Sequence, residues 1–131
     1  MNRILTLAGG LMATLAITCT GHAQQVLEGR DGEPLLARLA RNEPTQIRVE
    51  GVAITGVVGD LYDKERNPGG AVLMERSREG DIFIRLAAPD LARPVSLFVK
   101  TAKATYPLTL TPADVPLQTV VIRPDRLAAA P

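Results

Sequence analysis

Apolar residues recur at every second position through most of the chain beyond Val26. Ile47 and Val49 share one side of an extended segment, as do Val52 and Ile54. Ile82, Ile84 and Leu86 alternate with Phe83 and Arg85, and Val95, Leu97 and Val99 alternate with Ser96, Phe98 and Lys100. Leu108 and Leu110 alternate with Thr109 and Thr111, and Val120 and Ile122 close the series. Successive side chains of a strand point to opposite faces, so this repeat predicts half-buried strands. The predicted core is Ile47, Val49, Ile54, Ile82, Ile84, Leu97, Val99, Leu108, Val120 and Ile122.

Turn residues interrupt the alternation at intervals of roughly 8–12 residues, the spacing of a sandwich or barrel. The breaks are Gly29-Arg30-Asp31-Gly32, Glu50-Gly51, Asn67-Pro68-Gly69-Gly70, Glu79-Gly80-Asp81, Ala88-Pro89-Asp90 and Thr111-Pro112-Ala113-Asp114. Gly permits positive φ, Pro fixes φ, and Asp or Asn bonds to its own backbone, so each break has a cause. Two segments fit less simply. Pro34 to Arg41 can be drawn as a short helix with Leu35, Leu36, Leu39 and Ala40 on one side, or as a strand with Leu35, Ala37 and Leu39 inward and Leu36 and Arg38 outward. The strand is preferred because a short isolated helix is marginal in water. Pro107 lies inside a strand-like run and predicts an edge or a bulge there. From Arg123 the chain reads as a tail. The expected fold is all-β: a single small antiparallel β-sandwich or open barrel.

The amino terminus has the three-part layout of a secretory signal. Arg3 supplies a positive start, Ile4 to Ile17 is uncharged and mostly apolar, and Gly21-His22-Ala23 offers small residues for cleavage after Ala23. The apolar run is shorter than the roughly 20 residues a membrane-spanning helix requires. Cys19 suggests lipidation, but Thr18 stands before it where an acylated site wants a smaller residue. The expected organisation is therefore a signal peptide at 1–23, one β domain at 24–123, and a disordered tail or linker stub at 124–131.

Composition then narrows the function. The 131 residues contain 15 Lys plus Arg and 14 Asp plus Glu, so no basic excess favours nucleic acid. Loss of residues 1–23 removes Arg3, Cys19 and His22, which leaves balanced charge and no Cys, His or Trp. Ser77 and Ser96 then have no histidine to activate them, and Lys64, Lys100 and Lys103 form no Ser-x-x-Lys pair with either. Asp60, Asp63 and Glu65 cluster in one segment, where carboxylates can serve glycoside chemistry or Ca²⁺. Lys64 and Arg66 interleave with them, and the spacing is not that of a Ca²⁺ loop, so a self-compensated solvated loop is expected. Glu75, Arg76, Arg78, Glu79 and Asp81 surround a turn with both signs mixed. Gly56-Val57-Val58-Gly59 lacks the Lys and the following helix of a phosphate loop. Aromatic residues are 3% of the chain, too few for stacking platforms or aromatic pocket walls. No catalytic, cofactor-binding or metal-binding residue is assigned and no cofactor is expected. Contact with other proteins, including through edge strands, is the use that remains.

The order of segments resembles the TraK family, the secretin-like periplasmic components of F-type conjugative type IV secretion systems. Ile47, Val49, Gly51 and Ile54 match an Ile-x-Val-x-Gly-x-x-Ile pattern after the acidic-glycine turn Asp31-Gly32-Glu33. Pro94, Leu97, Phe98 and Val99 match Pro-x-x-Leu-Phe-Val, and Tyr106 and Leu108 match Tyr-x-Leu. The most specific stretch is the closing one, Val115, Pro116, Thr119, Val120, Ile122, Arg123 and Pro124. The likeness runs from about Val26 to Pro124.

The resemblance implies a non-enzymatic structural subunit of the ring-shaped core complex at the outer membrane. Its partners would be a lipoprotein and an inner-membrane-anchored scaffold protein around the DNA-transfer channel, with no direct nucleic-acid binding. Its location would be the periplasm, with membrane contact only through partners. Family members continue into a second β-sandwich that docks on the lipoprotein. This chain stops at Pro131, about where that domain would begin, so a truncated or split protein is expected. The alternative is a free-standing periplasmic binding or regulatory domain for a peptide or small ligand, and a third reading is a hydrolase that uses carboxylates alone.

Overall fold

The computed structural model describes residues 23–125. Residues 1–22 of the expected signal peptide, Cys19 among them, and the tail beyond Asp125 lie outside the described residues. Nine strands follow one another: β1 (Ala23–Gly29), β2 (Leu35–Ala40), β3 (Thr45–Val49), β4 (Ile54–Gly59), β5 (Val72–Arg76), β6 (Ile82–Leu86), β7 (Val95–Thr101), β8 (Thr105–Ala113) and β9 (Gln118–Pro124). They form a five-stranded sheet, ordered β1-β9-β3-β6-β5, and a four-stranded sheet, ordered β2-β8-β7-β4. The inward faces of both contribute to one hydrophobic cluster, and no helix occurs among the described residues.

The all-β sandwich agrees with the alternation, but the pairing is mixed where antiparallel sheets were expected. β9 runs parallel to both β1 and β3, and β2 runs parallel to β8. The physical reason is the route of the chain. Only the β5–β6 and β7–β8 connections stay within a sheet as antiparallel hairpins; the other connections cross to the opposite sheet. Short turns therefore mark crossings as often as hairpins, and strands brought together from distant parts of the chain are free to run the same way.

The ten residues of the predicted core are all buried, at 0–5% exposure. Period-two alternation is literal in β6 and β7, whose inward residues Ile82, Ile84, Leu86, Val95, Leu97 and Val99 are buried while Phe83, Arg85, Ser96, Phe98 and Lys100 are exposed. In β9 it fails, because Thr119 and Val121 are buried along with Val120 and Ile122. On the outer face the Thr119 hydroxyl is bonded to the Gln46 side chain of β3, which covers it. β9 also runs to Pro124, past Arg123, where the sequence reading began a tail.

The segment from Leu35 is a strand. Ala37 and Leu39 point inward while Leu36 is 73% exposed, which uses its apolar residues on two faces as a helix would not. Pro107 was expected at an edge or bulge, and β8 is an interior strand. The β2 ladder, however, begins at Leu35↔Leu108, one residue after Pro107, and the β7 ladder ends at Val95↔Leu110, before Pro112. Each proline thus lies where β8 has one ladder partner, and the edge rule holds locally. Pro112 itself belongs to β8, so the chain break expected at Thr111–Asp114 begins only at Asp114.

Gly29 shows how closely the two sheets approach. A Cβ there would stand 2.7 Å from Ile122 Cγ2 and 2.9 Å from Tyr106 Cε1. Tyr106 is buried against this glycine, and that burial, aided by the nearby Asp31 carboxylate, pushes its phenol pKa up.

Two outcomes test this packing. Ile84→Ala should cost about 2–5 kcal/mol in urea unfolding, the usual range for truncating a buried Ile. Because Tyr106 holds its proton more tightly folded than unfolded, stability should fall as pH rises above about 10, the unfolded phenol value. In the Tyr106→Phe variant the fall between that pH and the folded pKa should be shallower, as read by unfolding free energy across an alkaline pH series.

Candidate interaction surface

The chemistry-bearing residues singled out in the sequence are used up in holding loops. Asp60 is ion-paired with Arg93 and raises that guanidinium's pKa. Asp63 Oδ1 accepts the backbone N–H groups of Arg66 at 3.0 Å and Glu65 at 2.9 Å, which holds its carboxyl below the ordinary value. The Glu65 carboxylate joins neither, and among the described residues no three His, Cys, Asp or Glu side chains gather to hold a metal. Ser77 Oγ accepts the N–H groups of Glu79 and Asp81, both at 3.2 Å, and so builds the β5–β6 turn. Ser96 and Lys100 are exposed on β7, Lys103 is exposed in the turn after it, and Gly56 to Gly59 form part of β4. Gln46, on β3, donates from Nε2 to Asp81 Oδ2 at 2.8 Å and accepts the Thr119 hydroxyl at 3.3 Å.

Arg41 was not picked out in the sequence, and it joins three loops. Its Nη1 donates to the carbonyls of Leu91 at 2.8 Å and Pro89 at 3.1 Å, and its Nε to Asp114 Oδ1 at 3.1 Å. A planar guanidinium can reach these acceptors at once, as a lysine ammonium cannot.

Apolar side chains outside the core lie on both outer faces. On the four-stranded sheet, Val58, Phe98 and Pro107 stand in one row across β4, β7 and β8, and Ser96, Thr109 and Leu36 in the next across β7, β8 and β2. Leu36, Val58 and Phe98 are 73%, 55% and 46% exposed. Lys100 stands one row beyond Phe98 and Arg38 one row beyond Leu36, while Asp60, paired with Arg93, follows β4 beside Ser96. This face is an apolar band with hydroxyl side chains among its apolar ones.

The outer face of the five-stranded sheet is concave at one end. One depression, of about 310 Å³, is lined by Pro44, Leu73, Glu75, Phe83 and Arg85. A second, of about 130 Å³, is lined by Gln46, Leu117 and Thr119 and shares Pro44 and Phe83 with the first. At the other end Arg123 pairs with Glu50 at 3.2 Å and Glu28 at 3.7 Å, a charged ladder across β9 and its neighbours.

The sandwich flanks are sewn from within. At the β1/β2 side, Gln25 Oε1 accepts the Arg38 N–H at 2.8 Å and its Nε2 donates to the Arg38 carbonyl at 3.0 Å. One side-chain amide thus pairs with β2 as a strand's peptide group would, and it also bonds to Gln118 Oε1 at 3.0 Å. At the β4/β5 side the chain leaving β4 pairs directly with β5: Val72 N–H donates to the Asp60 carbonyl and Tyr62 N–H to that of Val72. Arg76 then donates to the Thr55 carbonyl of β4 at 3.1 Å.

A family model described as the TraK N-terminal domain matches residues 28–131. The chain belongs to that family. No curated protein matches it. TraK proteins are structural components of conjugation systems, not a known enzyme family, so the neutral, loop-holding disposition of the carboxylates and serines agrees with the family.

The TraK pattern noted in the sequence has a physical reading on this fold. Ile47 and Val49 are buried on β3, Gly51 turns at φ +79°, and Ile54 is buried at the start of β4, so the pattern encodes one crossing between the sheets. The closing stretch leads into and fills β9, which lies between β1 and β3 in the five-stranded sheet. Phe98 is the large apolar member of the TraK-like positions that the core does not use.

The Gln25 clip makes its own prediction. Gln25→Ala should cost about 0.5–1.5 kcal/mol, the net worth of a hydrogen bond whose backbone partners can turn to water. It should also speed hydrogen exchange at the Arg38 amide relative to the rest of β2, as measured by mass spectrometry or NMR.

Proposed function

We propose that this domain is a structural subunit of the periplasmic core complex of a conjugative type IV secretion system, where it supports DNA transfer without touching DNA. The observation that carries the reading is Phe98. It stands 46% exposed amid Val58, Leu36 and a row of hydroxyl side chains, on a member of the TraK N-terminal domain family. A domain with no need of that side chain for its own core has it available for a neighbour.

In this reading the chain is exported and works in the periplasm. It packs laterally in a ring and reaches the outer membrane only through partners, a lipoprotein and a scaffold protein anchored in the inner membrane. It performs no bond chemistry. The balance of 15 basic and 14 acidic residues across the chain supports contact with protein surfaces over contact with a phosphate backbone.

The test is a photoreactive residue in place of Leu36 in donor cells. Illumination should yield covalent adducts with other subunits of the transfer apparatus, seen as high-mass bands, and deletion should abolish transfer. Migration solely as a free monomer, with transfer unimpaired on deletion, would overturn the assignment.

A further inference from the structure

The start of β1 joins the expected leader to the folded domain, and its first three residues have different surroundings. Ala23 N–H donates to the Leu117 carbonyl at 3.1 Å, and Ala23 pairs with Gln118 in the parallel ladder to β9. Along a parallel ladder every second residue of a strand bonds to a given neighbour. The Gln24 nitrogen therefore faces away from β9, toward the edge of the sheet, while that of Gln25 faces β9. The side chains divide in the same way. Gln24 is exposed, with no side-chain bond to another described residue. Gln25 has its amide bonded to both backbone groups of Arg38 and to Gln118.

We propose that removal of the leader after Ala23 makes Gln24 the amino terminus, and that the fold leaves this residue free to close to pyroglutamate. The α-amine, partly unprotonated at neutral pH, attacks Cδ of its own side-chain amide. The Nα–Cδ bond forms, the Cδ–Nε2 bond breaks, and the amide nitrogen leaves as ammonia with the proton that the amine gives up. No oxidant, metal or co-reactant is needed. Both reacting groups lie outside the ladder to β9, so the ring closes without opening the sheet, and the Gln25 clip stays in place. This inference rests on the reading of an exported domain and adds a modified residue to it.

The product changes the surface on which it lies. Gln24 pairs with Thr119, Thr119 with Gln46 and Gln46 with Phe83, one row across the outer face of the five-stranded sheet. That row borders the groove of about 130 Å³ lined by Gln46, Leu117 and Thr119. An open terminus would set an ammonium at the end of the row, whereas the lactam leaves the row without charge. Closure also removes the amine on which an aminopeptidase acts, and so guards an edge strand from trimming.

The test is the mass of the mature chain. The full chain, leader included, is produced in a Gram-negative host, recovered from the periplasm, and measured intact and as amino-terminal peptides. The expected mass is that of residues 24–131 less one ammonia, with the terminus blocked to stepwise amino-terminal degradation. Incubation at neutral pH should carry any open chain to the closed mass at the same rate in the native protein and in urea. Gln24→Ala should keep an open terminus and the wild-type thermal transition. Deletion of Gln24 brings Gln25 to the terminus, where its amide is held by Arg38, so ammonia loss from that variant should be slow when native and faster in urea.

A Gln24 that stays open, that closes only in urea, or that is not the first residue of a periplasmic chain would overturn the inference and leave the export reading standing. A chain that stays in the cytoplasm with its leader intact would overturn both.

Discussion

The fold depends on a late event in the chain: β9, the last strand, enters between the first and the third. β1 has β9 as its ladder partner and lies at the edge of its sheet, so without β9 the opening strand has nothing to pair with in that sheet. β3 keeps β6 but loses its other side. Both ladders that β9 closes join segments far apart in sequence, so most of the chain must already be ordered before that burial is gained. Tight approach at the join, with Gly29 against Ile122 and Tyr106, leaves no room for a side chain there. Gln118 fixes the same strand from its other end, where it is fully buried and accepts a hydrogen bond from Gln25.

Much of this was legible from residue order, and the division has a physical cause. Alternation reports which face a side chain takes, and that depends on the local backbone alone. Ile82, Phe83 and Ile84 therefore declared their faces, as did Leu97, Phe98 and Val99, and the strand at Leu35 could be preferred over a helix. Partner choice depends on where the chain returns, and nothing in residues 118–124 says that β1 and β3 will flank them in parallel. Pro112 looked like a turn because proline usually breaks a ladder, and it did not because β7 stops short of it. The outward positions of Phe83 and Phe98 were equally readable. The groove was not, since Pro44, Leu73, Phe83 and Leu117 come from a loop, two strands and another loop, with no shared spacing. Gln25 and Arg41 gave no warning either: each acts by reaching backbone groups whose identity leaves no trace in sequence.

The polar side chains singled out in the sequence are engaged in holding loops. Asp60 is taken by Arg93, Asp63 by the backbone of its own turn, Ser77 by the next turn, and Arg41 by the loops that carry Leu91 and Asp114. These bonds replace the regular ladders that a chain crossing so often between sheets cannot supply. Function on such a fold comes from sites added to its surface and not from the architecture itself, and the surface here adds apolar side chains on the two outer faces.

The flanks of the sandwich are guarded against a further strand. An incoming strand at β2 would have to displace the Gln25 amide from Arg38, and one at the β4/β5 flank meets the chain already paired there. Sewn flanks of this kind protect a sandwich from the indiscriminate edge pairing that leads to aggregation. The outer faces carry no such guard: Leu36, Val58 and Phe98 stand exposed on one, and Leu73, Phe83 and Leu117 on the other. The exposed apolar side chains thus lie where no strand can add to a ladder, so any contact they make is one of side chains and not of backbone pairing.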